Sequence, residues 1–566
     1  MDITAEELSE NGTALVERKS PAAHYGWGWR HVIVGLGSLC CFSNFMLRVN
    51  LSMTIVVMVN HTAASHQQAA SQLKTIANSS ASTSVETDGI HWDDVCYTAE
   101  DLAALEDVGD NEDGNFLWNT EQQGALLSAF FCGYSILTIP GGVLATRFGG
   151  KWIVGTAMLI AAILTFATSS VAAISFPLLI VLRIALGLCL SVVFPAMMCI
   201  LSFWIPIQER SKLPVFVFTG SNIGTVCCFA MAGFVISAWG WPMLFYITGL
   251  ITTTWFILWA LLVTNRPSLH KWISKSELEF IEAGHAKAEV SPSDFNHLPS
   301  PLWYHYHIFP TRILQTKQPG ICDIPWRRVF TSLPVWSIFI THMACHATTV
   351  LFLTMLPTYF RTIHGLDIRK NGLLSAMPFV CFFVFANTAS HLSDFLRSRK
   401  LLSTTSVRKL FNCGGGYLAG ASVCALALVG CNTTAVILML VLGFGMCGLS
   451  MSGFSPNTLD IAPKYAGIIL GCSISIANIS GIVLPTFVGF ITKNKETLSA
   501  WRVIFLSMCG FYWLASTFYL IFGSGLVQPW AQDQQRKAPS SDDNEKAEEW
   551  NPMINQQNSD GKEVMA

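Results

Sequence analysis

Two arginines stand inside apolar runs of this 566-residue sequence, Arg48 in FMLRVNLSM (45–53) and Arg183 in LLIVLRIALGL (178–188). A guanidinium keeps its charge in any protein environment, and near the centre of a membrane helix it costs roughly 2.5–3.5 kcal/mol, so it is rarely left against lipid. At a rise of 1.5 Å per helical residue, Arg48 and Arg183 lie about 16 and about 13 Å from the same end of their runs, within one turn of a common depth. Asn44, Arg48 and Ser52 are spaced four apart, which puts them on one helix face as a polar stripe. No Asp or Glu is read inside any apolar run; Glu209, Asp394 and Asp460 fall at or beyond run ends. Two buried cations without an internal carboxylate leave a positive site, and a small anionic substrate is the species that balances it. The plainer reading is that one arginine snorkels or bonds backbone carbonyls.

A third polar cluster is THMACHATT (341–349), where His342, His346 and Thr349 share a face by the same spacing. Two histidines four apart can hold a metal, but no third ligand is evident, so hydrogen bonding or proton exchange is preferred and no metal is assigned. Asp460 and the pair Glu209–Arg210 sit at run ends, where a salt bridge or gate role fits better than substrate contact. ATRFGGKW (145–152) lacks the first Gly and the final hydroxyl of a phosphate-binding loop, so no ATP motor is visible. Clustered nucleophiles at one depth are missing too, which argues against an enzyme. Nothing points to nucleic acid or to an organic cofactor. Movement driven by a sodium or proton gradient, or by the membrane potential, is what remains.

The elements that must position these residues follow from composition. The chain is 52% hydrophobic and only 12% charged, with a mean hydropathy of +0.46, which describes a protein solvated by lipid. About twelve runs are long enough to cross a bilayer: 32–59, 122–145, 151–171, 174–203, 213–238, 241–264, 334–358, 371–393, 406–430, 433–454, 465–491 and 502–526. Backbone groups in lipid must bond within their own segment, and barrel alternation is absent, so the fold class is an all-α membrane protein. Most of the 34 Lys and Arg fall on one side when the N-terminus is cytosolic, which places both tails in the cytosol. The expected organisation is a cytosolic tail 1–31, a six-helix bundle 32–264 with an outer loop 60–121, a cytosolic central loop 265–333, a second bundle 334–526 and a tail 527–566. Residues 141–151 and 390–400 are corresponding basic turns in the two halves, the mark of a duplicated unit.

The outer loop carries Asn78 as a glycosylation candidate and Asn60 as a poorer one close to the membrane. In the central loop, Ser274 and Glu277 have capping-box spacing before a short amphipathic stretch, expected to be a linker helix at the membrane surface. The 17 cysteines fall mostly inside spans and do not suggest a disulfide framework; Cys96 lies outside, Cys431 near it, and a bridge between them is a minor alternative. EEWNPMI in the C-terminal tail loosely resembles an endosomal sorting signal, leaving plasma membrane and lysosomal or vesicular membrane both open.

Seven stretches, in order, carry a resemblance that covers Arg30 to about Gly525: LRVNLSMTIVVMV (47–59), FFCGYSILTIPGGVLATRFGGKW (130–152), FWIPIQERSKL (203–213), HKWISKSELEFI (270–281), DIPWRRVFTSLPVW (323–336), GLLSAMPF (372–379) and GFSPNTLDIAPKYAGIILG (453–471). They resemble the anion:cation symporters of the major facilitator superfamily, solute carrier family 17, which includes sialin, the vesicular glutamate transporters and the sodium/phosphate cotransporters. The resemblance implies two pseudo-repeated six-helix bundles, a single chain acting as a monomer, and alternating-access transport of phosphate or a carboxylate such as sialic acid, coupled to sodium or protons. It also implies that Arg48 and Arg183 hold the anion. A non-transporting anion receptor on the same fold is the alternative. Three positions depart from the glutamate carriers: Leu190 replaces a fourth-span Glu shared with sialin, Leu127 a second-span His, and Cys345 a seventh-span Arg. His342 aligns with a sialin-like His. Asn222 and Asn457 are alternatives for sodium coordination without a carboxylate.

Overall fold

The computed structural model describes residues 26–60, 96, 114–206, 209, 213–289, 324–493 and 496–532. Eleven of its helices are long and apolar enough to cross a membrane. The first half comprises α1 (Trp29–Met58), α3 (Gly150–Ile174), α4 (Phe176–Trp204), α5 (Leu213–Trp239) and α6 (Trp241–Leu262). Between α1 and α3 runs α2 (Thr120–Phe148), a further 29-residue helix that contains the expected span 122–145. A short helix α7 (Lys275–Glu289) follows. The second half comprises α8 (Leu333–Thr354), a short α9 (Leu356–Thr362), α10 (Ile368–Ser398), α11 (Thr404–Val429), α12 (Thr433–Ile461), α13 (Ala466–Thr492) and α14 (Leu498–Phe522). Among the described residues the only β pairing is an isolated bridge between Val59 and Phe116.

Local sequence explains the ends and the breaks. Asn119 accepts a hydrogen bond from Gln122 N while the Gln122 side chain accepts from Asn119 N, a reciprocal cap that starts α2. α4 is interrupted at Val192, three residues before Pro195, whose missing N–H cannot serve the carbonyl four residues back. α8 gives way to α9 at Met355, just ahead of Pro357.

In the first half, α1 packs on α5 and α6, α2 on α4, and α3 on α4 and α6; in the second, α11 packs on α12 and α14, α10 on α12, and α8 on α13 and α14. The seam between halves is made by α2 against α13 and α5 against α10. Its contacts cluster toward the Met58 end of the molecule. There Thr120 donates to Gly489 O at 3.3 Å, Ser128 donates to Ile482 O at 2.9 Å, Arg369 Nε donates to Ser237 Oγ at 2.8 Å, and Lys493 pairs with Glu121 at 3.0 Å. Large apolar side chains such as Ile163, Leu250 and Leu428 are exposed, which suits a surface in contact with lipid.

One expectation needs correction. Cys96 and Cys431 are joined in a disulfide across 335 residues of sequence, and Cys96 N also donates to Ile363 O at 2.9 Å. Composition could not show this, because fourteen other described cysteines are free and mostly in helices. Helix α7 falls in the stretch expected to be a linker helix and also docks on the start of α1. Ser274 Oγ does accept from Glu277 N at 3.2 Å, but the Glu277 carboxylate is buried at the other end of the sequence, accepting from Trp29 N and Arg30 N, each at 3.0 Å. It caps α1, whose first N–H groups have no partner within the helix. Helices α10 and α12 also run farther than the apolar runs implied, so Asp394 and Asp460 lie in their last turns instead of beyond them.

Candidate functional site

Arg48 and Arg183 line one narrow cavity of about 10 Å³, with Ser52, Leu127, Phe130, Phe131 and Thr354 among its walls. That is room for about one water, far short of the roughly 300–1,000 Å³ usual for small-molecule sites, so this conformation holds the two arginines closed in. α1 supplies Arg48 and Ser52, α2 the leucine and phenylalanines, α4 supplies Arg183, and the last turn of α8 supplies Thr354. Close approach of α2 and α4 brings these together: a Cβ at Gly133 would collide with Ile184 O, and one at Gly187 with Phe130 O, so only glycines permit this spacing.

The Arg48 guanidinium sits 4.7 Å from the Phe131 ring centre, 5.3 Å from Phe45, and 5.4 Å from both Phe130 and Tyr134. Ring quadrupoles offset part of its desolvation at about 0.5–2 kcal/mol per contact, but they carry no net charge. Its Nε and Nη2 are out of solvent and have no hydrogen-bond acceptor. Arg183 is in the same condition: it is buried, its Nε and Nη2 lack acceptors, and its nearest ring contact is Phe245 at 5.9 Å. Ser52 Oγ is also without a partner. Among the described residues no carboxylate lines the cavity.

The rest of the expected stripe divides. Asn44 does not line the cavity; it is buried, and its Nδ2 donates to Leu190 O at 3.4 Å beside the α4 break. His342 Nδ1 lies 2.7 Å from Ser473 Oγ, and His346 Nδ1 lies 3.0 Å from Ser480 Oγ, so both rings turn toward α13. Among the described residues no group of three or more His, Cys, Asp or Glu converges to hold a metal. Asn222 is half-buried on α5, outside the cavity walls. Asn457 is buried in the second half and donates to Tyr519 Oη at 2.7 Å. Asn60 ends α1, its backbone N–H bonded to Phe116 O at 3.0 Å. Arg210 and Asn78 lie outside the described residues.

Two further buried arginines escaped the sequence reading. Arg30 reaches Glu209 at 2.7 Å through Nε and at 3.0 Å through Nη2, with Glu277 3.4 Å away. Arg408 reaches Asp460 at 2.7 Å, and its Nη1 donates to Ser393 Oγ and Ser452 O; Arg397 lies 3.6 Å from the same carboxylate. Glu209 and Asp460 therefore make ion pairs at helix ends, away from the cavity. The signal for Arg408 was available in its position inside the run 406–430, while that for Arg30 and Glu277 needed contacts 247 residues apart.

The sequence matches the Major Facilitator Superfamily profile over residues 37–485. The chain belongs to this superfamily. Within it, the chain is a member of the solute carrier 17 branch. It is 32% identical to vesicular glutamate transporter 3 of Danio rerio, covering 93% of this chain and 79% of that one. To human vesicular glutamate transporter 2 it is also 32% identical, over 94% and 81%; to vesicular glutamate transporter 1 of Bos taurus it is 35% identical, over 74% and 70%. Among solved structures, a bacterial homologue of the human lysosomal transporter Spinster, in an inward-facing unoccupied conformation, is similar with a TM-score of 0.59 and 13% identity, covering 89% of this chain and all of that one. A D-xylose–proton symporter is similar with a TM-score of 0.56 and 13% identity, over 88% and 99%. At such identity these two speak for the fold alone. This major facilitator protein is a multi-pass membrane transporter and not an enzyme.

Proposed function

We propose that this transporter moves an inorganic or organic anion, phosphate or a carboxylate such as sialic acid, by alternating access coupled to sodium or protons. One observation carries the reading: two guanidinium groups facing one small cavity, each with buried donors unpaired and with no carboxylate among the described walls. Unpaired buried charge is costly, and an anion relieves it at both arginines together. The seam closed at the Met58 end fits a carrier poised to open at the Trp29 end.

The relatives are named for glutamate, but three positions argue for a different anion here. Leu127 is a cavity wall, Leu190 is a buried core residue, and Cys345 Sγ lies 3.0 Å from Cys447 Sγ. None of these can balance the ammonium group of an amino acid. For coupling, His342 and His346 provide exchangeable sites. The disulfide suits an oxidising exterior or lumen at the Met58 end, and the named relatives favour a vesicular membrane.

The experiment is labelled uptake into proteoliposomes with phosphate, sialic acid and glutamate, each with and without sodium and at two pH values. Wild-type protein should accumulate phosphate or sialic acid, and Arg48→Ala or Arg183→Ala should abolish it. Saturable binding without accumulation under any gradient would convert the carrier into a receptor and overturn the proposal.

A further inference from the structure

The cavity is lined mostly by the first half, with the last turn of α8 closing it, and one of its walls, Phe131, also meets the histidine pair's helix. Phe131, on α2, is buried, forms a cavity wall, and is the nearest of the four rings to Arg48, at 4.7 Å. The same ring meets His346 of α8 edge-on, with centres 6.2 Å apart and planes at 87°. It is seated against Gly481 of α13, where a Cβ would overlap the ring itself. Neighbouring contacts hold it there: Ser128, one turn earlier on α2, bonds both Ile482 O and Thr486 Oγ1 at 2.9 Å.

The histidine behind the ring is set up to exchange a proton. Ser480 Oγ donates to Ala477 O at 2.7 Å, so toward His346 Nδ1 it acts as acceptor, and Nδ1 carries the hydrogen. The lone pair on Nε2 is then available. The charged or titratable groups that face His346 are Arg48 from α1 and His342 on its own helix; α13 offers Ser480, and α2 offers Phe131.

We infer that Phe131 is the partition through which an anion at Arg48 is coupled to proton uptake at His346. The inference rests on the anion-transport reading above. With the cavity empty, an imidazolium at His346 would face the Arg48 guanidinium across one ring, at roughly 11 Å or less, a repulsion worth about tenfold in proton occupancy at an effective dielectric near 20. An anion bound at Arg48 cancels that charge, and Nε2 takes a proton from the water on the side to which the carrier is open. Both are carried, and the proton returns to water on the opposite side when the anion leaves. Phe131 exchanges no proton itself. It is a positioning residue that keeps the bound anion from reaching His346 directly, so that the two sites communicate through charge.

The test is proteoliposome uptake of labelled phosphate and of labelled sialic acid, with an internal pH dye recording proton flux. Wild-type protein should move protons with either probe that it accumulates. Phe131→Ala and Phe131→Leu should slow uptake several-fold, yet lower the protons moved per anion at least fivefold, and Phe131→Tyr should restore the ratio. Gly481→Ala, which displaces the ring without removing it, should lower the ratio as well. A wild-type ratio in Phe131→Ala or Phe131→Leu overturns the inference, as does loss of all uptake in all of these variants, which would make the ring a plain structural wall. Anion uptake by wild-type protein without proton movement also overturns it, leaving the anion reading intact. Uptake by Arg48→Ala equal to wild type would overturn the anion reading instead.

Discussion

Among the described residues Arg30, Arg183 and Arg408 are buried and Arg48 is half-buried with its Nε and Nη2 out of solvent, and these four fall into two kinds. Arg30 and Arg408, toward the Trp29 end, each have a carboxylate oxygen at 2.7 Å and further acceptors around the guanidinium. Arg48 and Arg183, inside α1 and α4 and away from their ends, have aromatic rings and unpaired donors. What separates the two kinds is their company. A guanidinium given a carboxylate by its own chain fastens helices together, while one denied a carboxylate is finished by something from outside. His364, near the Met58 end and outside the spans, makes the same point from the other direction. It is buried among neutral partners, Tyr359 Oη at 3.3 Å and Thr433 Oγ1 at 3.2 Å, and burial pulls its proton affinity down to a pKa of about 4. A histidine can shed its charge where no partner is offered; an arginine cannot.

Breaking the fastened kind should cost most in stability. Asp460→Asn strands Arg408 and Arg397, and a loss of about 3 kcal/mol is expected in unfolding of the purified protein; the double variant Asp460→Asn with Arg408→Gln should recover part of it. Breaking the unfastened kind should leave stability nearly intact but reduce uptake about a hundredfold, equivalent to about 2.7 kcal/mol. An Arg48→Ala protein that melts much earlier than wild type would erase the distinction between the two kinds. Glu277→Gln should cost about 2 kcal/mol, because it weakens both the Arg30 pair and the cap on α1, and limited proteolysis should then cut near residues 265–290 sooner.

The smallest effect sharpens the comparison through pH. The folded-state pKa of His364 lies below the ordinary value near 6.5, so protons bind the unfolded chain preferentially. Its neutral burial is fully tolerated above about pH 6.5, and stability is lost as pH falls from there toward 4, by up to about 2 kcal/mol at pH 5. Thermal melts of wild type and His364→Gln at pH 7 and 5 should differ in slope, the variant being less sensitive to acid. Equal slopes would remove His364 from the account.

Much of this was legible in the chain. Apolar runs of about twenty residues can only be helices in lipid, and most observed helices begin and end within a few residues of those runs. Arg48 and Arg183 were legible because a charge within such a run has no ordinary reason to be there. Asn44 was placed on the right face but not in the cavity, since helical spacing tells which side a residue occupies and not which neighbour it meets. Glu277 was read as a local cap, and its long-range partner was invisible because the contact spans 247 residues. The Cys96–Cys431 bridge was weighed only as a minor alternative, because a pairing across 335 residues leaves no local signal.

The sequence by itself determined that the chain crosses a membrane many times and carries two cations at matched depth, because hydrocarbon punishes unpaired polar groups at every position independently. Only the tertiary structure decided that those two cations share a cavity, that two others are already paired, and that Phe131 stands between Arg48 and His346. Those are relations among helices distant in sequence, set by glycine contacts and close packing that no single segment encodes.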